Sequence, residues 1–258
     1  MKNFSGIHPT ALIGDDVTIG KNVTIGAHCI VYDNVVIGDD CKLGANVILG
    51  EPTAAIYSEP VAYVNPLLEL GPKSIIRSGS ILYAGSRFGA RLETGHRVTI
   101  REGTKAGTNL RVGTLSDIQG NCEFGDYVRL HSNVHIGQGS VVGDYVWIFP
   151  YVVLTNDPHP PSNELKGVTV ESFAVIATMS VILPGIRVGR DSLVGAGSIV
   201  NRNVNEEDVV VGNPAKRVAN IRDIKSKQSG EPIYPWRFNF DRGLPWEGIG
   251  FERWHNAQ

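Results

Sequence analysis

From Ile7 onward, every sixth residue is aliphatic: Ile13, Ile19, Ile25, Val31, Ile37, Leu43 and Leu49. The next residue is Gly at 14, 20, 26, 38, 44 and 50, and four residues after the leading position sits a small or β-branched side chain: Val17, Val23, Cys29, Val35, Cys41 and Val47. The period resumes in a new phase from Leu70 to Leu154, and again from Val170 to Val200. Of 29 leading positions, 27 carry Ile, Val, Leu or Phe, so the period is not accidental; the exceptions are Thr94 and Ala106. Six residues make a short strand and a bend. Alternate side chains of a strand share a face, so the leading residue and the one four later point inward together. Three such units close a triangular coil, and coils stack as a solenoid. Residues 18 apart then lie one above the other, about 4.8 Å per coil. A β-sandwich, with strands at irregular spacings of about 8–12 residues, does not fit.

Two segments break the repeat. One covers about 51–69, with Pro52, Pro60 and Pro66; the other covers about 155–169, TNDPHPPSNELKGVT, and should project from the surface. The coils are expected over 1–204, a terminator with a short basic helix (AKRVANIRDIKS, 215–226) over 205–226, and a tail over 227–258. The tail holds Trp236, Trp246 and Trp254, all but one of the tryptophans, and is expected to pack on the prism or on a partner subunit. The three cysteines, Cys29, Cys41 and Cys122, fall in the small inner slot and read as core residues.

Bulk properties narrow the function only slightly. A formal net charge of −2 gives no basic excess to attract nucleic acid or an anionic membrane. There is no apolar signal-peptide core and no run of about 18 apolar residues, so a cytoplasmic location is the default expectation.

The hexads, the Pro/Asn-rich loop and the stretch VVVGNPAKRV together resemble the hexapeptide-repeat acyltransferases over about residues 1–226. The resemblance implies an all-β, left-handed parallel β-helix, assembly as a homotrimer, and acetyl-CoA held in a groove between two prisms. ILYAGSRFG, GHRVTIREGTKAG and VWIFPYVVLTNDPHP are most similar to nucleotide-sugar N-acyltransferases of surface-polysaccharide pathways. The implied reaction is acyl transfer to the amine of a dTDP- or UDP-linked amino sugar, with no metal. An O-acetyltransferase acting on a sugar or another small hydroxyl acceptor is an alternative. A γ-type carbonic anhydrase, which shares the fold and needs three converging histidines, is another; His96, His131 and His135 come near that pattern but miss its register. A non-catalytic nucleotide-sugar binder is a third, disfavoured by the concentration of polar residues.

Candidate site residues follow from coil arithmetic and the resemblance. His131 occupies a hexad position usually held by Gly and is the candidate base, since imidazole titrates near neutral pH. His96 belongs to a hexad 36 residues earlier and is expected on the same face; His135 follows His131. Glu102, Gln138 and Asn156 form one outward column. Asn156 and Asp157 match the family's Asn-Asp and are expected to orient the amine or acyl carbonyl, although both are also ordinary loop formers. Arg101, Glu102, His96, His135 and Gln138 are expected to touch the sugar or its phosphates. For CoA, the resemblance implies backbone around Ala177 and Gly195 for the pantetheine arm, with Lys216 and Arg217 at the phosphates.

Overall fold

A computed structural model describes residues 6–59 and 61–258. Residues 1–5, the start of the expected 1–204 span, and Pro60 of the first insertion lie outside the described residues. The chain winds into a three-faced parallel β-solenoid. Face 1 has ten strands, from Leu12–Ile13 to Ile199–Val200. Face 2 has nine, from Val17–Ile19 to Arg187–Val188. Face 3 has eleven, beginning at Thr24–Ile25. Strands pair with those 18 residues on, as in Leu12 with Ile30 and Asp117 with His135. The insertions are absorbed between coils, so that Val35 meets Leu68 and Val141 meets Thr169.

The leading positions line the interior as the period requires. Ile25, Leu49, Ile76, Leu82, Ile100, Ile118, Ile136, Ile148 and Leu154 are wholly buried. The cysteines are free and buried in the same column. The two exceptions have local reasons. Thr94 is buried, and its hydroxyl accepts from the Arg77 amide at 3.0 Å. Ala106 is partly buried between Phe88 and Phe124 on the adjacent coils, where two large rings leave room only for a small side chain.

At many corners a buried serine links neighbouring coils. Ser74, Ser140, Ser192 and Ser198 donate to the carbonyl three residues earlier, Gly71, Gly137, Gly189 and Gly195. Ser74, Ser80, Ser86, Ser116 and Ser180 accept from an amide of the next coil, as in Leu92 N to Ser74 Oγ at 3.2 Å. These rungs satisfy hydroxyls that burial would otherwise penalise by about 1–3 kcal/mol.

The end of the solenoid departs from the sequence expectation. Residues 215–226 are not a helix. Asp208–Val211 closes the parallel part of face 3, and Lys216–Asn220 pairs antiparallel to it, followed by one 3-10 turn at Ile221–Asp223. The last coil exposes an edge of unpaired N–H and C=O groups, and pairing to that edge outweighs a weak helical pattern. The short C-terminal helix lies instead at Phe251–His255.

The tail folds back onto face 3. Tyr145 stacks on Tyr127 (centroids 5.4 Å) and on Phe173 (5.0 Å), forming an aromatic ladder up one corner. Trp236 donates its indole N–H to the Phe173 carbonyl at 2.8 Å, and Trp246 is wholly buried against Tyr145. Arg237 pairs with the buried Asp191 and lies over the Phe173 ring at 4.6 Å. Among the described residues no helix is long and apolar enough to cross a membrane.

Candidate functional site

Within each coil the chain runs along face 1, turns to face 2, then to face 3, and returns. The site candidates therefore separate into two corners flanking face 1. The corner between faces 3 and 1 carries His96, His131, Ala177 and Gly195; the corner between faces 1 and 2 carries Arg101, Glu102, Gln138, Asn156 and Asp157.

Between them, on face 1 itself, two side chains meet. Asp117 and His135 are register partners, and Asp117 Oδ2 lies 3.1 Å from His135 Nδ1. Gln119 donates to the same carboxylate. The hydrogen bond from His135 holds the Asp117 carboxyl below its usual range against the opposing effect of burial. With Nδ1–H committed to Asp117, the His135 Nε2 lone pair points away from the carboxylate, which is how a carboxylate orients a general base. Asp117 was absent from the sequence candidates. The signal was present, because it lies 18 residues before His135 on an outward position.

The other candidates fall into place around this pair. Arg101 and Glu102 bond to each other through both carboxylate oxygens, at 3.1 and 2.8 Å, and Arg101 lies over the Tyr83 ring at 5.8 Å. Asn156 anchors the base of the projecting loop, its carbonyl accepting from Lys166 N at 2.7 Å. The Asp157 carboxylate turns into the loop and accepts from the His159 amide and from the amide and hydroxyl of Ser162, and these bonds lower its pKa. As it stands, Asp157 shapes the loop.

His131 shares the corner between faces 3 and 1 with His96, offset by one position along the turn. Its amide belongs to a ladder that runs Gly95, Gly113, His131, Phe149, Ala177, Gly195, whereas His96 donates its amide to Thr114 one position along. The His131 ring stacks on Phe149 (4.6 Å, 13°) and tilts against Trp147 at 6.1 Å. Burial pushes its pKa down. The ladder also occupies the amides of Ala177 and Gly195, which donate to the Val194 and Val210 carbonyls, and the Gly195 carbonyl accepts two serine hydroxyls. Arg217 is paired with Asp208 at 2.5 Å, and Lys216 is exposed beside it. Among the described residues, no group of three or more His, Cys, Asp or Glu is placed to hold a metal ion.

Comparison with known proteins agrees with this architecture. Residues 16–51 match the family described as bacterial transferase hexapeptide (six repeats), and residues 167–202 match the hexapeptide repeat of succinyl-transferase. The chain is 30% identical over 125 residues to a galactoside O-acetyltransferase of Lactococcus lactis, covering 44% of this chain and 60% of that protein. It is 33% identical over 93 residues to a 2,3,4,5-tetrahydropyridine-2,6-dicarboxylate N-acetyltransferase of Staphylococcus aureus, covering 36% of this chain and 33% of that protein. The chain thus spans between a third and three fifths of the length of these relatives. Among solved structures, an Arabidopsis UDP-N-acetylglucosamine acyltransferase shares the fold with a TM-score of 0.65 at 18% identity, over 83% of this chain and 74% of that one.

Proposed function

We propose that this chain, a hexapeptide-repeat protein, is an acyltransferase that moves an acetyl or similar acyl group from acyl-CoA to the amine of a nucleotide-linked amino sugar, in surface-polysaccharide synthesis. The observation that carries the reading is the Asp117–His135 pair on a solenoid face flanked by two polar corners.

The chemistry needs an amine that loses a proton, a polarised thioester and reactants held in line. His135 Nε2 accepts the proton as the amine nitrogen attacks the thioester carbon. The C–N bond forms, the tetrahedral adduct collapses, the C–S bond breaks, and the proton passes to the departing thiolate. Asp117 fixes the tautomer and offsets the charge on the imidazolium. Arg101, Glu102, Gln138 and Asn156 line the next corner and bind the acceptor. His131 supplies an aromatic wall with Phe149 rather than the base, because among the described residues no carboxylate orients its ring. The two corners lie on either side of face 1 in one chain, so a cleft built from both requires a neighbouring protomer. We take the assembly to be a homotrimer, with CoA beside the last coils near Lys216 and Arg217.

A hydroxyl acceptor is the second reading, favoured by the match to a galactoside O-acetyltransferase. Thiol release from acetyl-CoA, measured with dTDP- and UDP-linked amino sugars against their hydroxy counterparts, separates the two. Release that requires both the amine and the nucleotide is the expected result. Release with free sugars or hydroxy sugars alone would overturn the N-acyl reading.

A further inference from the structure

Face 3 carries a ladder of outward side chains in register: Glu93, Arg111, Arg129 and Trp147. Two guanidinium groups on adjacent rungs of a sheet repel, and such like-charge pairs are ordinarily destabilising. The compensation is slight. Glu93 is the carboxylate on the ladder, and it is shared between Arg77 at 2.8 Å and Arg111 at 3.5 Å. Arg129 is only 6% exposed. It donates to the carbonyls of Asn109, Val128 and Gly243, and among the described residues no carboxylate lies within ion-pair distance of it. Burial and the nearby Arg111 lower its pKa to about 10. It remains a cation at neutral pH, held by carbonyl dipoles and lying over the Tyr127 ring at 5.9 Å.

The tail converts this ladder into a cleft. The bond from Arg129 to the Gly243 carbonyl ties the tail to the solenoid, and Arg242 projects beside it over the Phe240 ring at 5.8 Å. The tail's own carboxylate here, Glu247, accepts from the Gly243 amide at 3.0 Å. The resulting cleft has a volume of about 740 Å³ and is lined by Arg77, Arg111, Arg129 and Arg242 against Glu93 and Glu247. A second cavity of about 390 Å³ adjoins it and shares Trp147, Phe240 and Arg242; its other walls include Phe149, Tyr234 and Trp236. Trp147 stands where the two meet, and its indole N–H is buried with no hydrogen-bond partner among the described residues.

We propose that this tail-capped cleft binds a nucleoside diphosphate, with the phosphates at Arg111, Arg129 and Arg242 and the planar ring against the Trp147–Phe240 wall. Guanidinium forks match phosphate oxygens in charge and geometry, and a phosphate would relieve the Arg111–Arg129 repulsion. A base or other planar ring suits such an aromatic wall. The inference rests on the acyltransferase reading in one respect: that reaction uses two nucleoside diphosphates, and with CoA placed beside the last coils the cleft is left to the sugar carrier.

Calorimetric titration of the full chain with CoA, UDP, dTDP and inorganic pyrophosphate tests the proposal. One nucleoside diphosphate is expected to bind more tightly than pyrophosphate, to compete with it, and to quench tryptophan fluorescence. Both Arg111→Gln and Arg242→Gln, exposed enough to leave the fold intact by circular dichroism, are expected to weaken it about tenfold or more, in line with loss of a charge-assisted bond. UDP or dTDP binding assigns the cleft to the acceptor; CoA binding in this manner assigns it to the donor and overturns the placement of CoA near Lys216 and Arg217. Absence of binding by all four at millimolar concentration overturns the proposal, as does binding unchanged in both variants. Nucleotide binding without any thiol release would sink the catalytic reading and leave the cleft. Thiol release with unaltered KM for both substrates in both variants would do the reverse.

Discussion

At the scale of single residues, the two central histidines differ in what holds them. His135 is bound to Asp117, whereas His131 is bound to aromatic faces. Replacing His135 with Ala is expected to lower kcat by about 10²–10⁴-fold, the usual contribution of a positioned base. Asp117→Asn should shift the pH profile of kcat/KM while leaving KM for acetyl-CoA unchanged, which separates an orienting role from a merely structural one. His131 gives a different signature. Burial depresses its folded pKa below the ordinary value of 6.5, so the native state binds fewer protons than the unfolded one. Stability is therefore full above that value and falls as pH drops from it through the folded pKa. Urea denaturation of His131→Phe should show less acid sensitivity across that window than the parent chain. Sequence reading found both histidines from their type and spacing. It missed Asp117 because an acidic residue on an outward strand position looks like any solvated charge until its register partner is considered.

At the scale of elements, the tail behaves as part of the core of face 3. Trp246 is wholly buried, and Trp246→Ala is expected to cost about 3–5 kcal/mol in denaturant unfolding. Arg237 and Asp191 form a buried pair in which burial keeps the Asp191 carboxyl above its usual range despite its partner. Arg237→Met should destabilise by up to about 3–5 kcal/mol, since it leaves the buried Asp191 carboxylate with the looser contact to Arg190 at 3.7 Å. Adding Asp191→Asn to that variant should recover much of the loss. The packing of this tail could be anticipated from its tryptophans, but not its target, because the Tyr127–Tyr145–Phe173 ladder forms only when coils stack. The strand at Lys216–Asn220 escaped for a related reason: its partner edge belongs to the last coil and leaves no mark in the local pattern.

At the scale of the whole molecule, the six-residue period was sufficient for the architecture. A side chain's inward or outward direction in such a solenoid depends only on its phase, and even Thr94 and Ala106 kept theirs. What the period does not encode is which corner of one chain meets which corner of another. On the proposed reading, a cleft that takes in both His131 and Asn156, which lie on either side of face 1, needs a neighbouring protomer. Light scattering is expected to give three times the 27.9 kDa chain mass. A fully active monomer would show that one face alone suffices.

The serine rungs carry a consequence for how such a chain can change. Each rung joins a coil to its neighbour through the same donor and acceptor, whether at Ser74, Ser116 or Ser180. The connectors of a coil's upper surface therefore match the lower surface of many others, as identical threads let any nut fit any bolt. Height is then a free dimension. Whole coils can be gained or lost without remaking the joints between those that stay, and only the pieces fitted to particular heights, the projecting loop and the folded-back tail, keep the length of the molecule from drifting.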